Sequence, residues 1–412
     1  MALRSLIVDF NSYFASVEQQ EQPALRGRPV AVVPVMTDST CCIAASYEAK
    51  HFGVKTGTRV GEARKACPGL VLIEARHGLY AEYHRKLIAA IDSCLPVTQI
   101  LSIDEMLCAL RGPWREPGRA LATAREIKVR IARTVGPFLR SSIGIAPNPF
   151  LAKTASDMEK PDGLVLLDAH DLPGRLFPLK LRDLCGIGSS MGERLHGCDI
   201  FTVEQLCLAP KETLRRAWNG IEGDRMYALL RGQEIDRPPT QRCTVGHSHV
   251  LEPKSRTRPL AEAVLHGLLQ KAAARLRKLG YLAASLSVEI KFVDGEYWSD
   301  EMGFLETQDT LDFIRIFALL WQRYPPGAPP PLRVGVTLFH LSAAHNVTER
   351  LPQLEPSRLA LDRAMDRLNN DYGKNTIYFG GAQEALDSSP ARIAFTHVPE
   401  PEKERSPIVR GG

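Results

Sequence analysis

Three carboxylates are the residues of this 412-residue chain whose positions first indicate chemistry. Asp9 follows the apolar run 6–8, and the adjacent Asp104 and Glu105 follow the apolar run 100–103. A carboxylate at the tip of a buried strand is costly unless a positive charge lies beside it. Carboxylate oxygens are also the ligands that hard divalent cations prefer. The pattern therefore predicts a divalent-cation site, although either acidic position alone is more typical of ordinary turn acids.

Two cations held by these three side chains would clamp a phosphoryl group between them. Successive strand residues point to opposite faces, so Asp104 and Glu105 can share one site only where their strand ends or bends. We therefore expect a break in the strand at this pair. Ser102, two residues before Asp104, is a candidate to orient one of the carboxylates.

Four sequence blocks surround these acids in a fixed order. They are residues 8–18, 45–54, 102–105 and 155–163. In order and spacing the blocks closely resemble the Y-family DNA polymerases of the DinB/UmuC translesion type. The resemblance covers roughly residues 1–380, and its most specific motifs lie in the first 165 residues.

The resemblance implies an α+β right-hand polymerase with a ferredoxin-like palm, small fingers, a helix-hairpin-helix thumb and a β-α-β little finger. A β-α-β-β-α-β pattern, split by an insertion, agrees with such a palm. The strand and helix patterns of the little finger predict the order β-α-β-α-β. The expected boundaries are palm 1–22 and 74–167, fingers 23–73, thumb 168–236, linker 237–244, little finger 245–350, and a partly disordered extension 351–412.

The implied activity is DNA-directed DNA synthesis across lesions, with low fidelity, without proofreading and as part of the SOS response. Primer-template DNA and a deoxynucleoside triphosphate would be the substrates, and two Mg²⁺ ions the cofactors. By resemblance, Asp9 and Asp104 bridge both ions, and Glu105 binds the ion nearer the primer end. Phe10 would add a main-chain carbonyl, with its side chain used for packing.

Phe14 matches the steric-gate position, where an aromatic ring lies against C2′ of the incoming sugar. Without the resemblance, Phe14 reads as a core residue of the first helix. Tyr13 is the alternative gate.

Tyr47 and Lys50 are three residues apart on a predicted helix and share one face. By resemblance this face meets the triphosphate, together with Lys160. Lys50 stands where the common family pattern has arginine, so the bidentate fork of a guanidinium is lost. Cys41 and Ile43 would form the roof above the nascent base pair. For Lys50 and Lys160, plain surface solvation is the alternative reading.

DNA contacts are expected in three places. Gly186 and Gly188 fit a tight hairpin whose amides hold a phosphate, although an ordinary turn remains an alternative. Lys153 is a further candidate to touch DNA. Residues 251–280 contain seven basic and two acidic residues, typical of a nucleic-acid-binding surface or of a solvated helix face. Among these bases, the expected DNA-backbone contacts are Lys254, Arg256 and Arg258.

Composition agrees with a multidomain, non-membrane protein. The chain has no apolar run long enough to cross a bilayer, and its start lacks a secretory pattern, so a cytoplasmic protein is expected. The expected oligomeric state is a monomer. Nine cysteines without a CxxC pair argue against a disulfide framework, and the vicinal Cys41 and Cys42 are expected to be buried. Gln353 begins a weak sliding-clamp motif.

Three alternatives stay open. The first is a non-catalytic Y-family relative that acts as an accessory factor in DNA damage tolerance; loss of the metal carboxylates would mark it. The second is a nucleotide cyclase, which shares the split palm pattern but has no reason to carry the hairpin and the basic segment. The third is a structural DNA-binding module. Primer extension with and without magnesium separates them.

Overall fold

The computed structural model describes residues 2–236, 241–344 and 359–386. They form two compact units, divided between Arg237 and Pro238. Each unit combines helices with antiparallel-rich sheet, which confirms the predicted α+β class. Within these residues, every helix is too short or too polar to cross a membrane.

A five-stranded sheet lies at the centre of the first unit. Its strands are β1 (Ser5–Phe10), β5 (Gln99–Ile100), β6 (Glu105–Ala109), β7 (Ser141–Ala146) and β8 (Leu164–Leu166). The order across the sheet is β5-β6-β1-β7-β8, and the β7–β8 pair alone in this sheet is parallel. Strand β1 is therefore central and fully buried, as its continuous apolar sequence predicts.

Helices cover both faces of this sheet. They are α1 (Tyr13–Glu21), α4 (His77–Asp92), α5 (Pro117–Thr134) and α6 (Pro149–Met158). Leu6 and Val8 of β1 belong to the core that contains α4 and α5, whereas Ile7 belongs to the core that contains α6. Side chains alternate along a strand, so Asp9 lies on the same face as Ile7. This alternation directs Asp9 toward α6.

Two smaller substructures complete the first unit. A three-stranded sheet contains β2 (Val30–Val33), β3 (Ala44–Ala45) and β4 (Val71–Glu74), with helices α2 (Tyr47–Lys50) and α3 (Val60–Ala66). A helical region contains α7 (Ser189–His196), α8 (Val203–Leu208), α9 (Lys211–Trp218) and α10 (Ile221–Leu229).

The second unit has a four-stranded antiparallel sheet in the order β11-β10-β12-β9. Its elements are β9 (Thr244–Val250), α11 (Arg258–Lys278), β10 (Tyr281–Phe292), β11 (Tyr297–Thr307), α12 (Thr310–Gln322), β12 (Pro331–Ala343) and α13 (Leu359–Tyr372). The predicted β-α-β-α-β order was wrong because it omitted β11. That strand forms a sheet edge, and its side chains alternate between exposed and half-buried positions, so its sequence lacks an apolar run.

The structure also corrects the prediction for the run that precedes the acidic pair. Strand β5 ends at Ile100, residues 101–104 form a tight connection, and β6 begins at Glu105. The amides of Leu101 and Ser102 both donate to the carbonyl of Glu105, which closes the β5–β6 hairpin. Asp104 and Glu105 thus lie at the start of a strand. The expected break at this pair is present.

Within the second unit, α13 is held by Arg277 and by the Thr310 amide, which donates to Asp362 at 3.0 Å. The Arg277 guanidinium contacts the carboxylates of Asp362 and Asp366, with its Nε 2.7 Å from Asp366 Oδ2. Its side chain is only 8% exposed, so it does not belong to the basic surface predicted for residues 251–280. The proposed clamp motif at Gln353 and the first half of the predicted linker, residues 237–240, lie outside the described residues.

Candidate active site

The pairing of β1 with β6 brings two of the predicted carboxylates together. Asp9 is the direct cross-strand partner of Glu105, so their side chains emerge on one face of the sheet. The next amide along β1, that of Phe10, donates to the carbonyl of Asp104 at 2.9 Å. Asp104 is thereby fixed beside the same pair. The Phe10 side chain is buried in the core, as expected.

Ser102 orients the third carboxylate. Its hydroxyl donates to Asp104 Oδ1, and the Asp104 amide donates back to the hydroxyl at 3.3 Å. Burial raises the pKa of Asp104; the Ser102 hydrogen bond opposes this rise, and the negative charges of Asp9 and Glu105 add to it. A cation between these groups would relieve the repulsion.

Two lysines of or next to α6 reach the carboxylates. Lys153 contacts Asp9 and Asp157 and lies 3.0 Å from Glu105 Oε1. Lys160 lies 2.9 Å from each Asp9 carboxylate oxygen and 2.7 Å from Asp157 Oδ1. Lys153 has these carboxylate partners because α6 covers the face of the sheet on which Asp9 lies, and its contact with DNA stays a prediction.

These contacts explain how the two ammonium groups tolerate partial burial. Burial lowers the pKa of both lysines, but the carboxylates of Asp9 and Asp157 raise it by more. Glu105 adds to the rise at Lys153. The net pKa of each lysine is therefore raised. Both lysines are cations held against carboxylate oxygens.

The donor set fits a hard divalent cation in its chemistry. Asp9, Asp104 and Glu105 offer only hard oxygen ligands. The Lys153 ammonium already forms ion pairs with two of them, Asp9 and Glu105. Across residues 2–236, 241–344 and 359–386, no three acidic, histidine or cysteine side chains converge as a ready-made metal cluster. Cation binding would thus require the carboxylates to draw together, with Lys153 displaced.

Phe14 and Tyr13 differ clearly in their surroundings. Tyr13 is buried, and its hydroxyl donates to the carbonyl of Tyr80 at 2.7 Å. Phe14 is only partly buried and stacks on the Tyr80 ring at a centroid distance of 4.3 Å. Phe14 therefore has an accessible ring, whereas the Tyr13 hydroxyl is used inside the core. The geometry favours Phe14 as the gate.

The predicted shared face of Tyr47 and Lys50 is present in α2. The Lys50 ammonium lies 4.3 Å from the centroid of the Tyr47 ring. Partial desolvation of its ammonium group and the positive charge of Lys160 lower the pKa of Lys50, while Asp9 opposes this shift. Burial raises the pKa of Tyr47, which also senses Lys160 and Asp9. The side chains expected to meet a triphosphate therefore lie within electrostatic range of Asp9.

The predicted roof residues lie beside β3. Ile43 is half-buried, and Cys41 is exposed with a bridge to Arg59. The expectation that both vicinal cysteines are buried was wrong for Cys41, whereas Cys42 is buried in the core of the small sheet. Exposed and buried side chains alternate from Cys41 to Ile43, so the two adjacent thiols face opposite sides.

The predicted phosphate hairpin is a turn that leads into α7. Gly186 has a φ of 85°, a backbone conformation that favours glycine, and Gly188 is the N-cap of α7. A three-residue 3₁₀ helix, Leu181–Asp183, precedes the turn. The expected helix-hairpin-helix thus has a very short first helix.

The predicted DNA-contact bases of the second unit have local partners. Lys254 lies 3.0 Å from Glu252, and Arg256 donates to the carbonyl of Leu251. The Arg258 guanidinium lies over the rings of Trp321 and Tyr324. Two basic side chains of the segment 251–280 that form ion pairs differ in exposure: Lys254 is 80% exposed, whereas Arg277 is 8% exposed.

Two residues of the site were missed from the sequence. Asp157 joins both lysines, and its spacing of four from Lys153 and three from Lys160 was the available signal. His84 of α4 is buried and contacts the carbonyl of Ile103, directly before Asp104. No sequence pattern indicated that contact, since it joins two segments that only the fold brings together.

Comparisons with known proteins identify the family of this chain. The family described as "impB/mucB/samB family" matches residues 8–157, and its C-terminal domain matches residues 242–351. DNA polymerase IV of Moorella thermoacetica is 36% identical, with 90% of this chain and 94% of that protein covered. DNA polymerase IV 1 of Bacillus subtilis is 30% identical, with 94% and 95% covered.

Solved structures share the fold. The Y-family DNA polymerase chimera Dbh-Dpo4(243-245)-Dbh is similar with a TM-score of 0.70 at 20% identity, covering 82% of this chain and 99% of the chimera. The insertion ternary complex of Dbh DNA polymerase is similar with a TM-score of 0.54 at 21% identity, covering 82% of this chain and 98% of that chain. With the family match over both units, the chain belongs to the impB/mucB/samB family, the Y-family DNA polymerases of the DinB type.

Proposed function

We propose that this DNA-directed DNA polymerase performs translesion synthesis by two-metal nucleotidyl transfer to a primer 3′-hydroxyl, without proofreading. One observation carries the proposal: the β1–β6 register pairs Asp9 with Glu105 while the adjoining connection holds Asp104 beside them. A DNA polymerase of this family needs such a trio of oxygen ligands. The curated relatives are named DNA polymerase IV, which supports the same chemistry.

Asp9, Asp104 and Glu105 would hold two Mg²⁺ ions, with the main-chain carbonyl of Phe10 as an added ligand. When bound, the ions supply Lewis acidity, which favours the deprotonated primer hydroxyl and the negative charge of the leaving pyrophosphate. The protein's part is to fix the three carboxylates, and Ser102 does so for Asp104 through paired hydrogen bonds.

Tyr47, Lys50 and Lys160 are proposed to bind the triphosphate. Lys160 has a partly exposed side chain already aimed at Asp9, and Lys50 is exposed at the end of α2. Tyr47 and Lys50 both sense the charge of Lys160, so the phenol and the two ammonium groups lie close enough to act on the same ligand. Such a group of cations and a hydroxyl is suited to bind a polyanion. Lysine provides charge but no bidentate fork, so triphosphate contact is looser than with arginine at position 50.

Phe14 is proposed to exclude the 2′-hydroxyl of ribonucleotides, and Cys41 and Ile43 to form the roof over the nascent base pair. The exposed Cys41 and half-buried Ile43 leave this roof open to solvent. An open roof is compatible with a distorted template base. This supports lesion bypass at the expense of fidelity.

The DNA backbone is proposed to contact Gly186, Gly188, Lys254, Arg256 and Arg258. The main-chain amides after Gly186 suit a phosphate without reading base sequence. Binding would then depend steeply on salt, because phosphate neutralisation releases counterions. Docking on a sliding clamp through Gln353 is a further proposal; removing residues 350–356 and finding clamp binding unchanged would reject it.

Primer extension on undamaged and abasic templates tests the catalytic proposal. We expect Asp104→Asn to lower extension at least about 1,000-fold on both templates while DNA binding persists, since metal-site electrostatics supply several kcal/mol of transition-state stabilisation. Glu82→Gln is the control, because Glu82 is an exposed acid of α4 that forms a surface ion pair with Lys86. Extension that survives in Asp104→Asn would contradict the assignment, and extension blocked at the abasic site would contradict lesion bypass.

A further inference from the structure

The strongest unassigned contact in the first unit is the ammonium group of Lys153 among three carboxylates. It touches Asp9, lies 3.0 Å from Glu105 and lies 3.1 Å from Asp157. Its side chain is only 18% exposed. Two of these carboxylates are proposed metal ligands, so the lysine and a divalent cation need the same oxygens.

The position of Lys153 is fixed by close packing of α6 on the sheet. Gly144 of β7 faces the helix so closely that a Cβ there would lie 2.0 Å from the carbonyl oxygen of Ala152. The N-cap Asn148 accepts from the Leu151 amide and donates to two carbonyls, those of Leu229 at the end of α10 and of Gln233 beyond it. The helix is therefore held at both its face and its start. Lys153 reaches Asp9 because of this approach.

We propose that Lys153 is a positioning residue that holds Asp9 and Glu105 together and competes with divalent cations for their oxygens. The inference rests on the proposed two-metal function and adds to it a control on cation affinity. A cation that binds both carboxylates displaces the ammonium from them. Lys153 thus weakens cation binding by the DNA-free enzyme.

Asp157 gives the displaced ammonium a partner. It lies one helical turn along α6 from Lys153 and is not one of the proposed metal ligands. The Lys153 side chain can leave Asp9 and Glu105 and keep its contact with Asp157. Displacement therefore does not leave an unpaired buried charge, which would be costly.

The test measures Mn²⁺ binding to the full-length, DNA-free protein, with free Mn²⁺ followed by electron paramagnetic resonance. Lys153→Met removes the charge and keeps the length, and Lys153→Gln is a second neutral variant in case the first folds poorly. Lys153→Arg keeps the charge. Lys128→Met is the matched control, because Lys128 is 20% exposed and its ion-pair partner at 2.7 Å is Asp162, which is not a proposed metal ligand.

We expect both neutral variants to bind Mn²⁺ roughly tenfold more tightly, since one positive charge beside the ligands has been removed. Lys153→Arg and Lys128→Met should stay within about twofold of the wild type. The neutral variants should also melt at a lower temperature without cation and gain more from added Mn²⁺, because their carboxylates repel one another. Unchanged or weaker Mn²⁺ binding in both neutral variants would overturn the proposal.

Asp104→Ala separates this inference from the proposed function. Lys153 does not contact Asp104, so that substitution tests the metal site without touching the lysine contacts. Weaker Mn²⁺ binding in Asp104→Ala, with unchanged affinity in Lys153→Met, rejects the competition and keeps the metal site. Tighter binding in Lys153→Met, with no effect of Asp104→Ala, keeps the competition and rejects Asp104 as a ligand.

Discussion

His84 Nδ1 lies 2.7 Å from the main-chain oxygen of Ile103, the residue immediately before Asp104. A carbonyl can only accept, so Nδ1 of the imidazole carries the proton. His84 is buried on α4, and its hydrogen bond attaches the acidic connection 101–104 to the helix behind it. A histidine outside the carboxylate cluster thereby fixes where Asp104 lies.

Replacement of His84 by leucine should lower kcat about tenfold and leave KM for the nucleotide nearly unchanged. The Ile103 carbonyl would lose a buried donor, at a cost of about 1–3 kcal/mol, and Asp104 would lose its fixed position. Steady-state primer extension separates the two constants. A raised KM with unchanged kcat would contradict the positioning role.

The same residue predicts a pH effect on stability. Burial lowers the pKa of His84 below its usual range, so the unfolded chain binds the proton more readily than the folded chain. The contribution of neutral His84 to the free energy of unfolding is complete above about pH 6.5, the ordinary pKa of histidine in an unfolded chain. It is lost as the pH falls toward the lowered pKa of the folded state. Urea unfolding should show the wild type exceeding His84→Leu by more at pH 7.5 than at pH 5.5. An equal difference at both pH values would refute this.

Phe14→Ala should raise ribonucleotide incorporation relative to deoxynucleotide incorporation at least about tenfold, because the accessible ring that would exclude the hydroxyl is gone. Single-nucleotide kcat/KM ratios measure this selectivity. Tyr13→Phe is the matched control: it removes the hydroxyl bonded to Tyr80, at about 1 kcal/mol of stability, and should leave sugar selectivity unchanged. A selectivity change in Tyr13→Phe alone would move the gate to Tyr13.

Lys50→Arg should lower KM for the nucleotide a few-fold, roughly 1 kcal/mol, because a guanidinium can bind a phosphate through two parallel hydrogen bonds. Lys50→Met should raise KM by a similar factor. Lys55→Arg, at a nearby exposed lysine, is the control. Equal KM values across the Lys50 series would show that this side chain does not meet the triphosphate.

Arg277→Met and Lys254→Met should separate folding from DNA binding. Loss of Arg277 leaves the buried Asp362 without its guanidinium partner and should cost the second unit about 3–5 kcal/mol. Loss of Lys254 should change stability by less than about 0.5 kcal/mol and reduce the salt slope of DNA binding by about 1. Denaturant unfolding and binding titrations in salt test both. A reduced salt slope in folded Arg277→Met would contradict its structural role.

Local chemistry was sufficient for much of the site. The apolar run before Asp9 predicted a buried strand, and the two-residue period required a break at Asp104 and Glu105. The spacing of Tyr47 and Lys50 placed both on one helical face. These are properties of neighbouring residues in one element, so the order of amino acids determines them.

Contacts between distant segments depended on the fold. Lys153 and Asp9 are 144 positions apart, and they meet because Gly144 lets α6 approach the sheet on the face where Asp9 points. His84 reaches Ile103, and Arg277 is removed from the basic surface by Asp362 and Asp366, for the same reason. Sequence determined which side chains the protein has available for metal and phosphate chemistry. Tertiary packing decided which charges face one another, because a charge pair depends on distance in space and not on spacing along the chain.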